Sequence, residues 1–346
     1  MARQNRWYNR GEAVNSNALF IMPDYSAILS RSWEITKKYK WLLVYGLILA
    51  GSGGFGGNNL ARIGSSFGDS NEKDALNNAS DVLGATTSSL GHWAGTVDSS
   101  TWILLIASLL LFIIFAITIQ IITVSWAKAS LIGGVKDADE GKEVTLASTA
   151  PKGLSRVKDL VIYNILSGFV IFSIVALWFV ILIFSFAMIW GPNLGEPTVG
   201  VLAIILSTPL FIGSLIILGM INVYAERLVV LKNHTPWLAF KKGFSLARGA
   251  FIPTLVMGII NIVLASTIGC ITAIVALIAL GFPALIFVLP AFEKGTFPGV
   301  GGIGLIGIAL LIFVYVNFFV RAALSVFTYS NWNIFFKKIV DKYEQK

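Results

Sequence analysis

The chain has 346 residues, of which 56% are hydrophobic and 13% charged, with a formal net charge of +8 and a mean hydropathy of +0.78. Soluble domains carry about a quarter charged residues, so this composition excludes an ordinary soluble domain and implies an all-α integral membrane protein that crosses the bilayer several times. The single cysteine, Cys270, excludes an intrachain disulfide and a thiolate metal site; His92 and His234 stand in different polar loops, so neither a metal nor a cofactor is expected.

Six spans are expected, at 39–56, 101–127, 160–190, 199–225, 250–281 and 301–329. They make a membrane domain over 24–335, between an N-terminal tail (1–23) and a C-terminal tail (336–346). The N-terminal stretch MARQNRWYNRGEAVNSN has basic residues but no apolar core before a cleavage site, so no cleaved leader is expected and the first span serves as the insertion signal. An amphipathic segment comes first, with Asp24 as its cap and Tyr25, Ile28, Leu29 and Trp33 as its apolar stripe. The first span runs out in GSGGFGGNN (51–59), where glycine weakens a helix.

The long loop 57–100 is rich in Ser, Asn and Gly and carries Asp69, Glu72, Asp74, Asp81 and Asp98, which suits an outer cap or a partner-binding loop. Its Asn78-Ala79-Ser80 is a glycosylation acceptor in a host that glycosylates. The span at 160–190 would reach about 46 Å as a straight helix, so it must tilt or project. Between spans four and five, HTPWLAFKKGFSLARGAF predicts an interfacial helix. Thr235 is its cap, Pro236 its first residue, and Trp237, Phe240, Phe244 and Ala247 its stripe, with Lys241, Lys242 and Arg248 on the polar side. In span five, Ala265, Gly269 and Ala273 form a face of small residues that predicts close helix packing. The apolar stretch 281–292 is too short to cross and has prolines near both ends, as expected of a re-entrant or interfacial piece.

Of the 26 lysines and arginines, 23 fall in the segments that share a side with the N-terminus. The positive-inside bias therefore predicts cytoplasmic termini in a prokaryotic plasma membrane. Anionic lipid facing Lys38, Lys158, Lys241, Lys242 and Arg248 accounts for the net charge without nucleic acid. A threefold pattern also emerges. Trp33, Gly153 and Gly243 are each followed five residues later by a base (Lys38, Lys158, Arg248) and eight later by the first span residue (Trp41, Val161, Phe251). The returning spans end alike, in Thr123-Val124-Ser125-Trp126, Asn222-Val223-Tyr224-Ala225 and Ser325-Val326-Phe327-Thr328. Three copies of interfacial helix, span out and span back are expected.

The segments RSWEITKKYKWLLVYGLIL, GGVKDADEGKEVTLASTAPKGLSRVKDL, YAERLVVLKNHTPWLAFKKGFSLARGAF and VFTYSNWNIFF carry a resemblance over 25–340. The chain resembles prokaryotic six-span proteins that include the membrane domain of glycerophosphoryl diester phosphodiesterases. The resemblance implies a shared membrane fold without the soluble domain in which that enzyme's chemistry resides.

No Asp, Glu or His stands inside a predicted span, which excludes the usual intramembrane protease constellations and carboxylate-based ion coupling. Lys241 and Arg248 have the spacing of a lipid-phosphatase site, but Gly249 replaces the expected proline and no second motif follows. Gln120, Asn164, Asn222, Asn261 and Asn317 are the polar span residues, either interhelical hydrogen bonds worth about 0.6–2 kcal/mol each or the lining of a neutral pathway. Apart from Lys40 at the edge of the first span, Arg321 is the one charge within a predicted span, and Glu226 is its first-choice partner, ahead of Asp159 and Glu34. The function expected is that of a non-enzymatic scaffold or subunit of a membrane assembly, with a protein partner at loop 57–100 or within the bilayer. The alternative is a permease or lipid-handling protein.

Overall fold

A computed structural model describes residues 23–52, 99–191, 196–287, 290 and 300–344; the tail 1–22, most of the loop 57–100 and its glycosylation acceptor lie outside the described residues. Among the described residues the fold is all-helical: α1 (Tyr25–Lys38), α2 (Leu42–Gly51), α3 (Ser99–Asp139), α4 (Leu146–Trp190), α5 (Pro197–Lys232), α6 (Pro236–Gly249), α7 (Phe251–Ala276), α8 (Phe282–Phe287) and α9 (Val300–Glu344). Five of the helical runs are long and apolar enough to cross a membrane, and the protein is a multi-pass membrane protein.

Local chemistry sets the helix ends. Asp24 caps α1 by accepting from the Ala27 N–H at 3.1 Å, and Lys37 and Lys38 close its last turn, where a cation suits the helix dipole. Thr145 and Ser148 form a reciprocal capping box at the start of α4. Pro197 opens α5, and Asn233 ends it in a left-handed conformation (φ 57°) that lets the His234 N–H reach the Leu228 carbonyl. Thr235 precedes α6 as expected, but its side chain makes no capping bond.

Several elements differ from the sequence expectations. The described part of the first span is α2, ten residues and about 15 Å long, or half a hydrocarbon core. Residues 53–56 lie outside the described residues. The middle amphipathic segment is not a separate helix, because α4 runs unbroken from Leu146 to Trp190 with Pro151 in its second turn. Residues 282–287 do not turn back: α7 continues through a π-helical turn (Leu277–Gly281) into α8. That turn lies just before Pro283, whose missing N–H and ring disturb the preceding helical bonds, and a wider turn relieves the conflict. The C-terminal segment is no tail up to Glu344, since Phe336, Ile339 and Val340 are buried.

The packed core sits at one end of the bundle, the end that carries the connections 140–145 and 233–235 and the lysine- and arginine-rich ends of the helices. Its members come from the second halves of α3, α5 and α9, the first halves of α4 and α7, and α1, α2 and α6. Beyond the apolar stretches, α3 and α9 continue for roughly 20 Å, which makes a helical head on the membrane arms. The arms themselves are almost bare: the apolar windows of the five long runs are 0–6% buried. Two pairs of helices stay together at the far turn: α4 with α5, where Trp178 stacks on Phe211 at 4.3 Å and the Gly200 Cβ position lies 2.6 Å from the Ser185 carbonyl, and α8 with α9, where the Gly302 Cβ position lies 2.9 Å from Phe287.

Candidate functional site

The head and arms meet in a polar neck. Lys128 of α3, Glu226 and Arg227 of α5 and Tyr329 of α9 stand there, where three helices cross. The Lys128 Nζ donates to Glu226 Oε1 at 2.6 Å, and both side chains are buried. Arg227 is 1% exposed; its Nη1 donates to the Val223 carbonyl at 2.7 Å, its guanidinium lies 5.7 Å from the Tyr329 ring centroid, and its Nε has no hydrogen-bond partner. Two cations and one carboxylate thus share a water-poor space, where desolvation makes each charge costly unless paired. The clue in the sequence was that AERL and WAKAS set charges among apolar residues on both sides. Reading spans as apolar runs placed these charges just outside the boundary, and so Lys128 and Arg227 were missed and Glu226 was assigned to Arg321.

Around the neck, polar side chains clasp one helix to another. Gln120 Nε2 donates to the Ser52 carbonyl at 2.6 Å, satisfying the end of the half-length α2 inside the apolar layer. Asn164 donates to Ser125 Oγ at 2.9 Å, joining α4 to α3. Asn222 Oδ1 accepts from Tyr163 Oη at 2.5 Å and from Ser167 Oγ at 2.8 Å, joining α5 to α4. Tyr224 and Thr254 pair at 2.6 Å between α5 and α7, and Asn331 donates to Asn261 Oδ1 at 3.1 Å between α9 and α7. Asn333 reaches the Ile132 carbonyl of α3 at 2.9 Å. Four of the five predicted polar residues therefore bond another helix; Asn317 alone serves its own.

Asn317 serves Arg321. The expected Arg321–Glu226 pair does not form, because Glu226 is taken by Lys128 inside the neck while Arg321 faces outward on α9. Its Nε donates to Asn317 Oδ1 at 2.6 Å, one turn earlier in the helix. Asp159 lies nearest Arg156, at 4.0 Å, and Glu34 pairs with Arg31 at 3.1 Å.

The interfacial bases occupy exposed ground. Lys38, Lys158, Lys241 and Arg248 are exposed, and Lys242 lies 3.2 Å from His234 Nε2. Burial and the neighbouring Lys242 and Lys232 hold the His234 imidazole below its ordinary value. The stripe predicted for α6 is divided: Ala247 and Phe240 lie against the core, and Trp237 and Phe244 do not. Ala239, Gly243 and Ala247 pack, with the Gly243 Cβ position 3.0 Å from the Ile221 carbonyl, while Trp237 and Phe244 point outward. In α1, Ile28 is buried as expected but Trp33 is exposed. Both helices place a lysine over the exposed tryptophan one turn earlier: Lys37 over Trp33 at 5.4 Å and Lys241 over Trp237 at 5.2 Å.

Ion pairs bind the head below the neck. Asp137 receives Lys152 at 2.5 Å, and Asp139 receives Lys337 at 3.0 Å and Arg31 at 3.5 Å. Among the described residues, no group of three His, Cys, Asp or Glu side chains is placed to hold a metal. An open apolar groove of about 520 Å³ lies between α2 and α3, lined by Ile48, Phe112, Phe115, Ile119 and Gln120. Comparison of the chain with protein families, with curated proteins and with solved structures finds no match.

Proposed function

We propose that the protein is a non-enzymatic scaffold or subunit of a membrane assembly, with six spans and both termini on the cytoplasmic side of a prokaryotic plasma membrane. One observation carries this reading: almost no residue in the apolar windows of the arms is buried, while the head is closely packed. Lipid covers such a surface in isolation, and helices of other subunits can replace it at little cost because the lipid tails are equally apolar. The resemblance to the membrane domain of glycerophosphoryl diester phosphodiesterases belongs to the same proposal, as does the threefold repeat. The repeat is supported by three similar junctions, in which a returning span meets the next amphipathic segment. They are Ser130 against Gly153, Ala225 against Gly243, and Phe327 against Trp33 with ring centroids 6.2 Å apart.

The test is the mass of the particle extracted from its native membrane in polymer-bounded discs. A particle heavier than one chain, with components in fixed ratio, is the expected result. A single chain with reproducible turnover of its own would overturn the reading. The second reading, lipid handling or neutral permeation, is favoured by the groove beside α2, whose apolar lining and single amide suit an acyl chain. Lipid or solute flux in proteoliposomes that disappears with Asn222→Leu or Arg321→Leu would establish it.

A further inference from the structure

Arg321 lies eight residues before Tyr329, roughly 12 Å along the helix, within the apolar stretch of α9. A lone arginine facing lipid ordinarily turns its head toward the nearest headgroups. Here the opposite holds. The chain direction of α9 puts Asn317 one turn further from the basic end than Arg321, and the bond from Nε to Asn317 Oδ1 draws the guanidinium that way. The side chain is exposed, and that bond is its one hydrogen bond among the described residues. Its neighbour Ala322 is buried against α2, where the Gly46 Cβ position abuts the Ala322 carbonyl, so the backbone cannot rotate the arginine away. The carboxylate nearest in sequence logic, Glu226, is committed to Lys128.

From this geometry we infer that Arg321 and Asn317 form a docking point for a transmembrane helix of a different protein, one that carries an Asp or Glu within its span. The planar guanidinium offers a fork of N–H donors that a carboxylate fills with two parallel bonds, and the hydrocarbon around it strengthens the attraction. A second copy of this chain cannot supply that group. The described apolar windows contain no Asp or Glu, and two Arg321 side chains brought together would repel. A lipid phosphate fits less well, because the guanidinium is held away from the near headgroups. The inference rests on the assembly reading above and names the chemistry of one contact in it.

The experiment places a photoreactive phenylalanine analogue at Phe318 or Tyr315, exposed positions near Arg321, in the full-length protein in its native membrane. The expected product is a crosslink to a span of another protein that contains Asp or Glu. Its yield falls at least tenfold with Arg321→Leu, is partly kept with Arg321→Lys, and returns when Arg321→Asp is combined with a basic residue in place of the partner's carboxylate. Crosslinks only to lipid, only to a second copy, or to a span without a carboxylate would overturn the inference. So would a yield indifferent to Arg321→Leu in a variant with unchanged melting temperature. In that last case an assembly still present by particle mass leaves the scaffold reading standing, whereas a single-chain particle removes both.

Discussion

At the scale of single residues, the neck decides what can be changed. Glu226→Gln leaves the Lys128 ammonium buried without its counter-charge, which is expected to cost about 3–5 kcal/mol. Replacing Lys128 and Glu226 together by Met and Leu is expected to cost far less, since neither charge is then stranded. Thermal unfolding of the single and double variants in detergent checks the difference; equal losses would mean that the pair is not closed. The glue role of Gln120, Asn164, Asn222 and Asn261 was legible in the sequence, because an amide inside an apolar span needs a partner. The partner of Glu226 was not legible. Lys128 stands 98 residues away, and only the crossing of α3 and α5 brings them together.

Helix packing tests the small residues. Gly46→Leu places a side chain where α2 abuts the Ala322 carbonyl and meets Val326 at 3.0 Å, so α2 and α9 must separate. Gly269→Ala meets nothing within 4 Å and is expected to be neutral or slightly stabilising. Melting temperatures of the two variants should diverge accordingly. The face Ala265, Gly269 and Ala273 was misread because a small-residue pattern permits close approach without naming a neighbour; Gly269 and Ala273 are exposed. The α5–α6 turn carries a pH dependence. His234 is held neutral below its ordinary value of 6.5, so the unfolded chain takes up the proton first and stability falls as pH drops through about that value. Amide exchange in α6, compared at pH 5.5 and 7.5 after correction for intrinsic rates, should rise at the lower pH, and His234→Gln should flatten the response.

At the scale of the molecule, the head holds the fold together and the arms depend on it. Truncation after Tyr329 removes Asn331, Asn333, Phe335 and Phe336 from the centre of the head, although it leaves the apolar span of α9 intact. Such a chain is expected to insert yet to lose its cooperative melting transition, as followed by intrinsic fluorescence. The helical class and five of the spans could be read from hydropathy, because apolar runs of that length have few other uses. The head escaped notice for the same reason. Its helices continue the spans with mixed composition, and burial there comes from tertiary packing that no run of hydropathy records.

The unbroken passage of α3, α4, α5 and α9 from the arms into the head has a mechanical meaning. Each is a rod whose fulcrum is the neck. A change of tilt by about 10°, well within the range bilayer thickness imposes on spans, moves the far tip of a 20 Å extension by roughly 3 Å. Salt bridges such as Lys337–Asp139, which join neighbouring rods near those tips, are the contacts that would feel the movement first.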